Sequence, residues 1–143
     1  LFITTNREKL LEVRKRLNAN IVIVKIFPGI TKKVVESILS IKGLKGIILE
    51  TYGSGNAPSD VLFQELATSF IERGGIVLNI TQCGSGAVQQ GAYQTSSFFE
   101  RIGVISGRNL TSEAALTKIM YLLGKGYSDI REKLQESLVG EMD

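Results

Sequence analysis

The sequence predicts an α/β fold, a three-layer sandwich built on a small parallel sheet of about four strands. Three observations predict it. Short apolar, β-branched runs recur along the chain without the alternation of a half-exposed strand, the mark of strands buried on both faces. Amphipathic helical stretches separate these runs. The resulting order, β-α-β-α-β-α-β-α-α, requires parallel strands joined by right-handed crossovers. The 143 residues, 43% of them apolar, suffice for one such domain with a buried core.

The first strand is expected at 21–26 (IVIVKI). A helix over 32–41 follows, with Thr31 as N-cap and Val34, Val35, Ile38 and Leu39 on one face. The second strand runs from Gly46 to Leu49 and on through Glu50-Thr51. The helix over 60–72 starts after Pro58-Ser59 and turns Leu62, Phe63, Leu66, Ala67 and Phe70 inward. Arg73-Gly74 closes it with a cation in the last turn and a glycine at the stop.

The third strand is read at 75–80, and a weaker helix over 93–101 carries Phe98 and Phe99 inward. A fourth strand spans 103–105. Thr111 caps a strong helix with Ser112 and Glu113 in its first turn and Ala115, Leu116, Ile119, Met120 and Leu123 inside; Gly124-Lys125-Gly126 breaks it. Ser128 caps a final helix with the stripe Ile130, Leu134 and Leu138. Residues 1–19 fit two patterns equally. Thr5-Asn6-Arg7-Glu8 matches a capping box ahead of Leu10, Leu11 and Leu17, whereas Leu11-Glu12-Val13 with Leu17 also suits an extended segment.

Absences narrow the chemistry. The chain has no His, which excludes a Ser-His-Asp triad, a His-ligated zinc and an imidazole base. Carboxylates do not cluster as metal ligands do, so no metal is expected. The single cysteine, Cys83, allows no internal disulfide and favours a reducing compartment. No apolar run approaches the roughly 20 residues that a membrane-spanning helix needs. The net charge is +3 and the isoelectric point about 9.1. Part of the excess lies in Arg7, Lys9, Arg14, Lys15 and Arg16, interleaved with Glu8 and Glu12 and free of aromatics. That pattern reads as a solvated surface segment, with neither nucleic acid nor membrane as partner. The chain opens on Leu1 rather than Met, which reads as a piece of a longer protein.

In open α/β sheets ligands bind beyond the carboxyl ends of the strands. Three loops there are dense in small polar residues: Glu50 to Pro58 (ETYGSGNAP), Thr81 to Gly86 (TQCGSG) and Ser106-Gly107-Arg108-Asn109. Gly53-Ser54-Gly55 fails as a dinucleotide fingerprint, since Pro58 stands at the third glycine position and the loop follows the second strand. The plain alternative is a tight turn with Asn56 and Ser59 as caps. Cys83 lies where a thiol nucleophile can sit, but no basic residue lies within six positions of it. Thr81 lacks a local Lys or Tyr to activate it. Glu113 is accounted for by the helix dipole. By its own residues the domain has a ligand-type edge without a catalytic apparatus.

These loops resemble those of a known family. Residues 46–58 (GIILETYGSGNAP), 73–83 (RGGIVLNITQC) and 103–118 (GVISGRNLTSEAALTK) are similar to the carboxy-terminal domain of cytoplasmic, type I L-asparaginases, and Phe27-Pro28-Gly29-Ile30 and Gly140-Glu141-Met142 fit the same pattern. The resemblance covers residues 20–143, a flavodoxin- or Rossmann-like domain, and makes 1–19 an interdomain connection, partly extended. It implies a two-domain amidohydrolase converting asparagine to aspartate and ammonia through an acyl-enzyme, with no metal or cofactor. The nucleophilic Thr and the Thr-Asp-Lys relay belong to Thr-Gly-Gly-Thr and Thr-Asp-Thr motifs of the amino-terminal domain. Neither motif occurs in this chain, so the fragment alone is expected to be inactive.

The resemblance also implies partners: the protein's own amino-terminal domain, a homodimer or homotetramer, and L-asparagine. The Gly-Ser-Gly-Asn loop of one subunit would complete its neighbour's pocket, with Gly55 in that loop and Asn56 bonding the amino or carboxylate end of the substrate. Tyr93 would approach the same pocket. Some bacterial members hold a second asparagine as an effector, at positions matching Asn56, Thr81 and Cys83. Their effector-carboxylate arginine is Glu50 in this chain; it would repel a carboxylate and could grip the ammonium instead. Two further readings compete: a stand-alone small-molecule binding module, and part of a tRNA-dependent amidotransferase, for which a charge of +3 is poor support.

Overall fold

The computed structural model describes residues 13–53, 61–83, 87–88 and 94–143. Strands β1 (Ile21–Lys25), β2 (Gly46–Thr51), β3 (Ile76–Thr81) and β4 (Ile105–Ser106) form one parallel sheet in the order β1-β2-β3-β4. Helices α1 (Lys32–Leu39), α2 (Val61–Glu72) and α3 (Gln94–Ile102) connect them, and α4 (Ser112–Lys125) and α5 (Ile130–Lys133) follow. The expected α/β architecture is present.

Strand order and crossover handedness together decide the layers. Each strand lies beside its predecessor, so three right-handed crossovers place their helices on the same face. The core divides accordingly. Val24, Ile47, Leu49 and Val77 pack with Val35 and Leu39 of α1, Phe63 and Phe70 of α2 and Phe99 of α3. The opposite-facing Ile48, Ile76, Leu78 and Ile80 pack with Ala115, Ile119 and Leu122 of α4 and with Leu134. Alternate residues of β2 and β3 serve the two clusters, as pleating demands. This is why the runs are continuously apolar.

Thr31 and Thr111 cap α1 and α4 as expected, their hydroxyls accepting from the amides of Val34 and Ala114. Four expectations need correction. Val34 is 46% exposed, because only Val35 and Leu39 of α1 are buried against the sheet and α2. The fourth strand is displaced from 103–105, because Gly103 occupies a left-handed turn and the Val104 amide donates to the Phe99 carbonyl at the end of α3. Helix α4 runs through Gly124, and Gly126 (φ +68°) closes it with its amide on the carbonyls of Leu122 and Leu123.

The last helix is a single turn, and Asp129 rather than Ser128 stands at its N-cap position without a side-chain bond. Leu134 is fully buried but Leu138 is 39% exposed, so the expected stripe is not formed. The reason is a competing set of bonds after Leu134. Lys118 Nζ takes the Glu136 carbonyl, and the Glu141 carboxylate takes the amides of Leu138 and Val139.

Residues 13–19 carry no helix or strand and run over α4, and the capping-box residues Thr5-Asn6-Arg7-Glu8 with Leu10 and Leu11 lie outside the described residues. The Asn18 amide donates to the Met120 carbonyl, and the Arg14 side chain reaches the Tyr121 hydroxyl. A Cβ at Gly124 would stand 2.3 Å from the Arg16 carbonyl oxygen, so only glycine lets this segment lie so close. Gly124→Ala is therefore expected to leave α4 intact and lift the segment off. Trypsin should cleave the variant at Arg14, Lys15 or Arg16 several-fold faster than wild type while far-UV circular dichroism is unchanged; equal cleavage rates would refute the close-packing account.

Candidate functional site

The carboxyl edge of the sheet is tied together by polar side chains that leave the strands on both faces. Thr51, fully buried, donates from Oγ1 to Asn79 Oδ1 at 2.7 Å and to the Ile80 carbonyl at 3.2 Å. Asn79 is fully buried as well. One register step further, Thr81 Oγ1 donates to the Gly53 carbonyl at 2.6 Å and accepts from the Cys83 amide at 3.0 Å. With both roles of its hydroxyl engaged, Thr81 fixes the loop after β2 to the end of β3. That is the work of a positioning residue and leaves no proton free for nucleophilic attack.

Gln82 had no role assigned from sequence, and the structure gives it one. Its Nε2 donates to the Ile26 carbonyl at 2.6 Å and to the Glu50 carbonyl at 2.8 Å, and its amide donates to the Thr51 carbonyl at 2.9 Å. One side chain thus joins the ends of β1, β2 and β3. The only sequence signal was a long amide side chain directly after a buried strand.

Glu50 leaves β2 on the opposite face from Thr51, toward α4, where its Oε1 accepts from Ser112 Oγ at 2.5 Å. Ser112 is the first residue of α4, so the carboxylate lies at a helix N-terminus, where the dipole favours an anion. Thr81 belongs to the other face, with Thr51 and Asn79, by the pleat of β3. Glu50 and Thr81 therefore do not point to one spot. Cys83 is exposed beyond β3. Gly55, Asn56 and Tyr93, the three residues expected at the substrate, lie outside the described residues.

The third loop closes the edge. Ser106 Oγ donates to the Val88 carbonyl at 3.3 Å and accepts from the Arg108 amide at 3.2 Å, and the Val88 amide donates to the Arg108 carbonyl at 2.9 Å. Arg108 adopts a left-handed conformation (φ +49°) and reaches the Asp143 carbonyl with one guanidinium nitrogen at 2.8 Å. Asn109 and Asp143 exchange two hydrogen bonds, at 2.8 and 3.0 Å.

A second feature that sequence reading missed lies on α4. Lys118 is 5% exposed and pairs with Glu141 at 2.7 Å. Burial by itself would raise the Glu141 carboxyl. The Lys118 ammonium and the amides of Val139 and Leu138 together outweigh it and hold the group at about 2. The signal was present: Lys118 interrupts the buried face Ala115, Ile119, Leu122, where an unpaired cation could not stay. Beside the pair, a cleft of about 530 Å³ opens between α4, Arg14 and Leu138-Val139, and none of the edge residues above lines it. Among the described residues, no three His, Cys, Asp or Glu side chains group as metal ligands, and no helix is long and apolar enough to cross a membrane.

The fold and this edge define the chain as an α/β domain on a four-stranded parallel sheet whose carboxyl ends are tied by polar side chains. Comparison with known proteins gives the family. The chain belongs to the glutaminase/asparaginase C-terminal domain family, whose model matches residues 20–136. It is 40% identical over 122 residues to L-asparaginase 1 of Escherichia coli, covering 84% of this chain and 36% of that protein. It is 40% identical to the 60 kDa lysophospholipase of Homo sapiens over 152 residues, covering 98% of this chain and 26% of that protein. A component of the glutamyl-tRNA(Gln) amidotransferase of Methanobrevibacter smithii is 32% identical over 142 residues, covering 98% of this chain and 32% of that protein. Among solved structures, L-asparaginase I of Vibrio cholerae superposes with a TM-score of 0.87 at 36% identity, covering 95% of this chain and 41% of that one. The chain thus spans roughly a third of the length of these relatives.

Proposed function

We propose that this domain is the carboxy-terminal part of a cytoplasmic enzyme that hydrolyses L-asparagine to L-aspartate and ammonia. The observation that carries the reading is the likeness to L-asparaginase I, at a TM-score of 0.87 and 36% identity, over nearly the whole chain. In this reading the nucleophilic threonine and its proton relay lie on a preceding domain, and residues 1–19 lead from it. The domain here supplies Gly55, Asn56 and Tyr93 to the pocket of a neighbouring subunit in a homodimer or homotetramer. Its edge fits that task. Thr81, Gln82 and the Thr51–Asn79 pair fix the base from which the Gly53-Ser54-Gly55-Asn56 loop leaves β2. An effector asparagine at Glu50, Asn56, Thr81 and Cys83 would have to compete with Ser112 for the Glu50 carboxylate.

The amidotransferase relative favours a second reading, in which the same domain belongs to an enzyme releasing ammonia for a tRNA-bound substrate. One experiment weighs both. Full-length protein should release ammonia from free asparagine without tRNA, and the 143-residue chain alone should release none. Turnover by the chain alone would overturn the placement of the nucleophile. Release by the full-length protein only in the presence of charged tRNA would favour the amidotransferase.

A further inference from the structure

Three groups of contacts line up into one path. At its far end, Lys118 binds the segment after α5 at three points: the Glu136 carbonyl at 2.5 Å, the Glu141 carboxylate at 2.7 Å and the Met142 sulfur at 3.0 Å. Leu134 and Met142, 0% and 5% exposed, seat the segment's two ends on the α4 face of the sheet. Just beyond, Asp143 holds the loop after β4 through Arg108 and through its reciprocal bonds with Asn109. That loop and the end of β4 hold Val88 from both sides, by the Arg108 carbonyl and the Ser106 hydroxyl. Val88 is 5% exposed yet is not a described member of either core cluster.

We propose that residues 136–143 form a strap, latched by Lys118 and Glu141, that positions the loop after β4 and, through it, Val88. Arg108, Asn109 and Asp143 are positioning residues: the geometry gives them no contact with a reacting group, and they act through Ser106 and Val88. The left-handed Arg108 suits such a role. A non-glycine residue at positive φ persists only where its surroundings enforce it, and its side-chain bond to the Asp143 carbonyl and its main-chain bond with Val88 do so. The significance for catalysis rests on the asparaginase reading, since the β3–α3 connection leads from Cys83 to Tyr93.

The test separates the strap from that reading. In the 143-residue chain, Asn109→Ala removes both bonds to Asp143 while leaving the buried latch alone. Residue-resolved amide exchange in this variant is expected to quicken at Val88 by about tenfold relative to Leu78 of the central sheet. If Val88 and Leu78 change in proportion, the segment is only a general support and the strap is refuted. In the full-length protein, Asn109→Ala is expected to raise KM for asparagine several-fold with kcat unchanged. A fall in kcat at constant KM would refute the positioning role. Absence of asparagine hydrolysis in the unmutated protein would instead refute the asparaginase reading and leave the exchange result standing.

Discussion

Lys118→Met is expected to destabilise the domain by about 3–5 kcal/mol, because it leaves the Glu141 carboxylate mostly buried without its cation. That is a large part of the roughly 5–15 kcal/mol that holds a domain of this size folded. The Glu136 carbonyl and Met142 lose their partner as well. Urea unfolding at pH 7–8 measures the loss, and a cost below about 1 kcal/mol would show that the pair is effectively solvated. The loss should shrink as the pH approaches 5, since an orphaned Glu141 can then take up a proton and bury as a neutral acid.

The wild-type protein carries the complementary pH dependence. The Glu141 carboxyl titrates at about 2 in the folded chain against an ordinary value of 4.5. A depressed folded value contributes stability that is complete above the unfolded value and is lost as the pH falls toward the folded one. The share of the Glu141 carboxylate with Lys118 and the Val139 and Leu138 amides together, on the order of 3 kcal/mol, should therefore fade between about pH 4.5 and 2. Glu141→Gln should flatten that limb of the stability curve. An unchanged acid limb would assign it to other carboxylates.

Gln82→Leu is expected to cost about 2 kcal/mol, as the Ile26 and Glu50 carbonyls lose a donor at the edge of the sheet. Its effect should be local as well as global. The Ile26 amide, which donates to the Glu50 carbonyl at 2.9 Å, should exchange faster than amides at the start of β1. Uniform exchange across β1 in the variant would deny Gln82 its role as the tie between strand ends.

The architecture was legible because it rests on local chemistry. Continuous apolar runs needed cover on both faces, and Thr31 and Thr111 announced two helix starts with capping hydroxyls. What was not legible depended on partners distant in sequence. Lys118 looked like one more charge on α4 until Glu141, 23 positions on, made it a buried pair. The expected stripe through Leu138 failed for the same reason, since tertiary bonds to Glu136 and Glu141 outweighed a weak helical pattern. Glu50 stood out in the sequence as an acid beside a glycine-rich loop, but only the structure brings Ser112 to it. The residues proposed for the pocket, Gly55, Asn56 and Tyr93, could be named only through the family's motifs. Nothing in their spacing requires a substrate.

The central claim is that this domain serves a neighbouring subunit's pocket, and subunit mixing tests it most directly. Full-length protein lacking the nucleophilic threonine and full-length protein carrying Asn56→Ala should each hydrolyse asparagine poorly. In a mixed dimer, one pocket would combine an intact nucleophile with an intact Asn56 from the other chain. Random reassembly of equal amounts should restore about a quarter of wild-type activity. A mixture no more active than the average of its components, or an Asn56→Ala protein with wild-type activity, would contradict the account.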